Sequence, residues 1–335
     1  MRHFTRIADL GVDGVEAVLG EALAWKKLPP GAHLRGKLLG MVFFNPSLRT
    51  RASFEAAMLR GGGHAIVLEV GGGVWKLEDR AGTVMNADKP EHIREAIPVL
   101  GRYVDALAVR TFAALADDDA DAADPVISAF RELAGVPVIS MESAREHPCQ
   151  GLADLLTVRE CCGGTRGLPV TLTWAPHIKP LPKAVPHSFL LTAAAAGCEV
   201  RVAHPAGFDL HPQVLAEAKK YAKESGGSVS VAHDQKSVLA GSRVVYAKSW
   251  GPATKSASPD EAAVRVTANQ DWLVTGKTLA QAAKDAIFLH CLPVRRNVEV
   301  ADEVLDGTQS RVIDEAENRF HVQRVLLNQI MKGNA

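Results

Sequence analysis

The chain has 335 residues, 47% of them hydrophobic, and its 38 Lys plus Arg balance 38 Asp plus Glu. A chain of that size can bury two cores, and the even charge offers no net field for nucleic acid or an anionic membrane surface, so neither is expected as a partner. No window is long and apolar enough to span a membrane, the first residues lack a signal-type apolar core, and five cysteines without a C-x-x-C pair suggest neither a disulfide framework nor a zinc site; a cytoplasmic location is expected.

Between Val12 and Lys27 the apolar residues Val15, Val18, Leu19, Ala22 and Trp25 recur at helical spacing, and Pro29-Pro30-Gly31 ends the run. Leu38 to Phe44 is a short, dense apolar run that predicts a buried parallel strand, closed by Asn45-Pro46. Ser47 then caps a helix that stops at Gly61-Gly62-Gly63, so free N–H groups point out from a strand end and attract an anion. Arg49 and Arg51 add donor forks, and Ser47 and Thr50 add hydroxyls, a set that suits phosphate better than carboxylate. The alternative is that the two arginines are solvated charges paired with Glu55 or Glu69.

His64 to Leu68 is a second strand, and Gly71 to Glu78 is a glycine-started loop carrying Trp75, expected to be mobile. Asp88 to Tyr103 predicts a helix with Pro90 in its first turn, and Ala106 to Arg110 a strand ending in a cation. Ala116 to Asp124 reads as a solvated connection, Val126 to Leu133 as a helix and Val136 to Ser140 as a strand. After Glu146 the alternation restarts, with strands at Val170 to Trp174, Glu199 to Ala203, Ser228 to Ala232, Val244 to Ala247 and Ile287 to Leu289. Two such runs predict an α/β protein of two doubly wound parallel-sheet domains, residues 1–145 and 146–314, with the active site in the cleft between them. Gly251 to Val266, containing Pro252, Ser256, Ser258 and Pro259, is expected as a flexible loop over that cleft, and the helix over 315–332 is expected to return to the first domain.

Chemistry-bearing clusters fall at the strand ends. Singly they are weak: His147 reads as a structural hydrogen-bonder, Cys149 and Cys291 as small core residues, Trp75 as an exposed loop aromatic. Taken together, Ser47-Leu48-Arg49-Thr50-Arg51, His147-Pro148-Cys149-Gln150 and His290-Cys291-Leu292-Pro293 resemble, in order and along nearly the whole chain, the aspartate and ornithine carbamoyltransferase family. That resemblance implies that Ser47, Leu48, Arg49 and Thr50 hold the phosphate of carbamoyl phosphate and that Arg110, His147 and Gln150 bind its carbamoyl end. Cys291, Leu292, Arg296 and Arg319 would complete the site, and Trp75 would enter the site of a neighbouring subunit in a homotrimer. Thr50, Arg110 and His147 would polarise the carbonyl while fixed cations stabilise the leaving phosphate, which requires no metal or organic cofactor.

The family's ornithine-binding aspartate and Ser-Met-Gly turn are not recognisable, whereas Trp174 to Pro182 with Lys248 resembles the acyl-ornithine branch, which serves arginine synthesis. By that resemblance Glu142, His177 and Lys248, with Cys291, Leu292 and Arg296, contact an acyl-ornithine. Pro90 stands where acetyl-using relatives carry glutamate and succinyl-using relatives carry proline. A glutamate there would oppose the succinyl carboxylate, so the reading favours a succinyl acceptor, with acetyl as the alternative and Glu91 as the charge one register away. Ile178 and His187 depart from the branch, which carries proline and asparagine, and Glu299 stands where some acetyl-using relatives carry lysine. The rival from another class is a non-catalytic phosphate-metabolite sensor. A dinucleotide-binding oxidoreductase is disfavoured because no Gly-x-Gly-x-x-Gly follows a strand.

Overall fold

A computed structural model of the chain describes residues 3–29, 31–253 and 259–332. Its first lobe contains α1 (Gly11–Lys26), β1 (Leu38–Phe43), α2 (Leu48–Arg60), β2 (His64–Glu69), β3 (Leu77–Glu78), β4 (Glu91–His92), α3 (Ile93–Gly101), β5 (Ala106–Arg110), α4 (Asp118–Ala123), α5 (Pro125–Leu133) and β6 (Val138–Glu142). One parallel sheet runs β2-β1-β5-β6, and β3 pairs with β4 apart from it. The strand order reverses at β1, so a crevice opens where β1 and β5 end side by side, with Phe43 opposite Arg110.

The second lobe contains α6 (Pro148–Cys162), β7 (Pro169–Trp174), α7 (Ala184–Ala195), β8 (Glu199–Ala203), α8 (Pro212–Ser225), β9 (Ser228–Ala232), α9 (Gln235–Leu239), β10 (Val244–Lys248), α10 (Pro259–Ala268), α11 (Gly276–Leu279), β11 (Ile287–Leu289) and α12 (Asp302–Leu305). Its parallel sheet runs β11-β10-β7-β8-β9, and the order reverses at β7, where Trp174 lies opposite Lys248. Every residue of β5, β6 and β10 is buried, as in a parallel sheet covered on both faces, and each strand ends in a charged residue, Arg110, Glu142 or Lys248.

α13 (Val312–Lys332) packs on α6, α1 and α2. α6 is buried from Pro148 to Val158, and all of α7 is buried. The two helices approach so closely that a Cβ on Gly151 would fall 2.7 Å from the Ser188 carbonyl oxygen, and only glycine fits. Among the described residues, no helix is long and apolar enough to cross a membrane.

Four local expectations change. α3 starts at Ile93, not in the Asp88–Pro90 region, because the His92 ring accepts the N–H of Arg94 at 3.1 Å and caps the helix there. The segment before α5 is not plain connection: Asp117 accepts the N–H groups of Asp119 and Ala120 and starts α4. β6 lies two residues further along than predicted, at Val138–Glu142. Within Gly251–Val266, a helix begins at Pro259, followed by Asp260 and Glu261, acidic residues that favour a helix start; Ser256 and Ser258 lie outside the described residues.

Candidate active site

At the start of α2, Ser47 Oγ accepts the N–H of Thr50 at 3.3 Å, leaving the N–H groups of Leu48 and Arg49 for a ligand. Arg51 turns away from them. It pairs with Glu69 at 2.6 Å and Glu55 at 3.5 Å, because residues two apart on a helix do not share a face. The phosphate reading thus fits Arg49, and the solvated-pair alternative fits Arg51. The Thr50 hydroxyl oxygen accepts from Arg110 Nη1 at 3.5 Å and from Arg319 Nη2, so its own proton is directed to a third partner.

Arg110 emerges from β5, stacks over the Phe112 ring at 4.7 Å and donates to Glu142 at the end of β6. His147, whose backbone N–H donates to Ser188 Oγ at 2.7 Å, holds its ring Nε2 3.7 Å from Glu142. Burial, with Arg319, Arg110 and Arg49 nearby, depresses the His147 imidazolium far below its usual range and keeps the ring neutral. Burial and the same neighbouring cations push Arg319 down to about 10. These guanidinium groups crowd a desolvated spot that a phosphate dianion would relieve.

Across the cleft, Lys248 ends β10 and His177 follows β7. The His177 ring donates through Nδ1 to the Lys179 carbonyl at 2.8 Å and accepts at Nε2 from Arg295 Nε at 3.1 Å. Glu299 accepts the N–H of Arg295 at 2.7 Å. Burial acts to raise its carboxyl, but the His290 ring 3.7 Å away and Lys248 outweigh that and hold it at about 2. Leu292 takes a left-handed φ of 54°, its N–H held by His290 Nδ1 at 3.0 Å. Burial pushes the Cys291 thiol up to about 12, so it is a packing group and not a nucleophile.

Apart from Ser188, His290 and Arg51 with its acidic partners, these groups line one cleft of about 710 Å³ between the lobes. Of the expected residues, Arg51, Trp75, Pro90 and Arg296 do not line it. Arg296 is a correction: it is exposed and bound to Asp302 at 2.8 Å and Asp306 at 2.7 Å, while its neighbour Arg295 enters the cleft. Adjacent side chains leave the turn in opposite directions, and the aspartates six and ten residues on marked Arg296 as the solvated member. Phe112, Lys179 and Arg295 line the cleft and were not foreseen. Trp75 is 62% exposed, and its indole N–H donates to Glu91 at 2.6 Å. Pro90 is also exposed, so Trp75 and Pro90 share one surface feature around β3 and β4.

Residues 2–160 match the family described as aspartate/ornithine carbamoyltransferase, carbamoyl-P binding domain, and residues 182–330 match the Asp/Orn binding domain of the same family. The chain is 42% identical over 332 residues to the N-acetylornithine carbamoyltransferase of Xanthomonas campestris pv. campestris, covering 98% of this chain and 97% of that one. It is 39% identical over 338 residues to the N-succinylornithine carbamoyltransferase of Bacteroides thetaiotaomicron, covering 99% of each. Among solved structures, a glutamate-to-proline mutant of N-acetyl-L-ornithine transcarbamylase, complexed with carbamyl phosphate and N-succinyl-L-norvaline, superposes with a TM-score of 0.94 at 41% identity, covering 98% of this chain and 100% of that one. Alanine, serine and valine mutants of the same relative's glutamate were solved with the same two ligands.

Proposed function

The chain belongs to the aspartate/ornithine carbamoyltransferase family and is a carbamoyltransferase acting on an acyl-ornithine; from that premise we propose that its acceptor is N2-succinyl-L-ornithine, converted to N2-succinyl-L-citrulline and phosphate. The observation that carries the reading is the surplus of cations, Lys179, Lys248 and Arg295, on the second lobe's side of the cleft. A succinyl-ornithine brings two carboxylates for them to meet, its α-carboxylate and the succinyl terminus. An acetyl-ornithine brings one.

Carbamoyl phosphate lies with its phosphate on the first turn of α2, held by Ser47, Leu48, Arg49 and Arg319. Its carbonyl oxygen receives hydrogen bonds from Arg110, Thr50 and the neutral His147, which strengthen as negative charge builds there. A neutral ring serves as donor without adding a further positive charge beside Arg49, Arg110 and Arg319. Glu142 orients the δ-amine, and Gln150 the carbamoyl amino group. The new C–N bond forms as the C–O bond to phosphate breaks, and the departing phosphate takes the proton that the amine releases. Both substrates are held in one cleft, which supplies much of the remaining acceleration.

The acyl group meets Pro90, carried with Trp75 into the cleft of a neighbouring subunit of a cytoplasmic homotrimer. The mutants of the acetyl-using relative support this. Proline, alanine, serine and valine share the absence of a carboxylate, and each complex contains a succinyl ligand. Removal of negative charge is therefore the common property, not the shape of proline. The test is citrulline formation from carbamoyl phosphate with ornithine, acetyl-ornithine and succinyl-ornithine, in the unmutated protein and in Pro90→Glu. Succinyl-ornithine should be preferred, and the substitution should reverse the preference. Preference for acetyl-ornithine that Pro90→Glu leaves unchanged would overturn the reading.

A further inference from the structure

Behind the cleft, the carboxyls of Asp154 on α6 and Glu315 on α13 meet in a spot where both side chains are fully buried. Both have an oxygen within hydrogen-bond reach of one atom, Gln150 Nε2, so the two carboxyls are close neighbours. Two carboxyl groups so close and so fully desolvated cannot both ionise without a large cost, so the pair holds at least one proton. Burial is the main reason that Asp154 retains a proton more readily than a free aspartic acid; for Glu315 burial is reinforced by the charge of Asp154.

The pair also grips Gln150. Its Nε2 donates to Asp154 Oδ1 at 2.7 Å and to Glu315 Oε1 at 3.3 Å. Both N–H bonds of that amide are thereby engaged away from the cleft, and Oε1 is the atom left over. Glu315 reaches further: its other oxygen accepts the N–H of His290 at 2.8 Å, the residue before Cys291 and Leu292 in the cleft wall.

We infer that Asp154 and Glu315 are a proton-sharing pair of positioning residues that turns the Gln150 amide so that Oε1 accepts from the amino group of carbamoyl phosphate. This rests on the reading above that Gln150 lies at the carbamoyl end. A glutamine amide has nearly the same shape when flipped, and the flipped form would face one NH2 with another. The two acids touch no substrate; they decide which analogue the site accepts.

Acetyl phosphate, which has a methyl group in place of the amino group, is the probe. The readout is the ratio of its inhibition constant to the KM for carbamoyl phosphate. Asp154→Asn can offer an N–H to Gln150 and release the amide to turn, so carbamoyl phosphate should weaken by about tenfold or more, the worth of one hydrogen bond to the substrate, while acetyl phosphate changes less than about threefold. Glu315→Gln leaves the shorter bond from Gln150 to Asp154 in place, so its ratio should stay within about threefold of the unmutated protein. Equal weakening of both phosphates in Asp154→Asn, or an unchanged ratio, would overturn the inference.

A measurement that needs no variant to fold is infrared absorption of the unmutated protein at neutral pH. The C=O stretch of a protonated, buried carboxylic acid should be present, and its absence would also overturn the proposal. Failure of the unmutated protein to carbamoylate any acyl-ornithine would instead count against the function on which the inference rests.

Discussion

Arg319 donates a hydrogen bond to the hydroxyl of Thr50, 269 positions earlier in the chain. The bond joins α13 to the first turn of α2, and Arg110 donates to the same oxygen from β5. Three separate elements thus aim one hydroxyl proton at whatever occupies the cleft.

Thr50→Val keeps the side-chain shape and removes that donor. Loss of one donor to a developing oxyanion typically costs 10²–10³ in rate, so kcat should fall by about 100-fold or more while the KM for carbamoyl phosphate moves far less. Steady-state kinetics check this. A KM rise with kcat unchanged would place Thr50 in ground-state binding only.

The arginine doublet provides an internal control. Arg295→Ala should raise the KM for the acyl-ornithine by about tenfold or more, the loss of one charged contact, and leave the KM for carbamoyl phosphate nearly unchanged. Arg296→Ala should have little effect on either constant, since it removes only exposed, solvent-screened ion pairs. The reverse pattern would mean that the two side chains exchange places when substrate binds.

Trp75→Ala and Arg110→Ala should each be nearly inactive alone. If the Trp75 loop serves a neighbouring subunit, equal mixing after dissociation and reassembly gives intact sites wherever a Trp75→Ala chain receives its loop from an Arg110→Ala chain, about a quarter of all sites in a closed ring. Recovery of activity to about that level is expected. No recovery from trimers confirmed as mixed would show that each chain uses its own loop.

His187 is buried, donating to the Arg145 carbonyl at 2.9 Å and accepting the N–H of His211 at 3.2 Å. Burial pushes it down to about 3. Because the unfolded chain takes up its proton near pH 6.5 and the folded chain does not, this group costs stability increasingly as pH falls through that range. His187→Asn should therefore lose less stability than the unmutated protein between pH 7.5 and pH 5, by on the order of 2 kcal/mol in urea unfolding. Parallel losses would mean that His187 is not held neutral.

The strands and phosphate loop were legible because their signals are local: a dense apolar run, a proline stop and a serine cap predict β1 and α2 without knowledge of the rest. The choice between Arg49 and Arg51 was not, since it depends on Glu69 of the neighbouring strand accepting one of them. Arg295 was missed for a similar reason: only the folded position of His177, 118 residues away, identifies which arginine faces inward. α4 was overlooked because an alanine- and aspartate-rich stretch resembles solvated linker until Asp117 is recognised as its cap. The start of α3 was misplaced because proline ordinarily begins helices, whereas Pro90 lies in irregular chain just before β4.

Pro90 sits on an exposed segment, with little native packing to disturb. Substitutions at such positions usually alter stability by no more than about 0.5 kcal/mol, whereas Thr50, His147 and Arg319 are buried in the cleft wall. If Pro90 meets the acyl group, descendants of this protein could exchange one acyl-ornithine acceptor for another through single changes that folding barely registers, while the grip on activated phosphate stays frozen by the interior that surrounds it. Ancestry in such a lineage would be written in the core and diet at the surface.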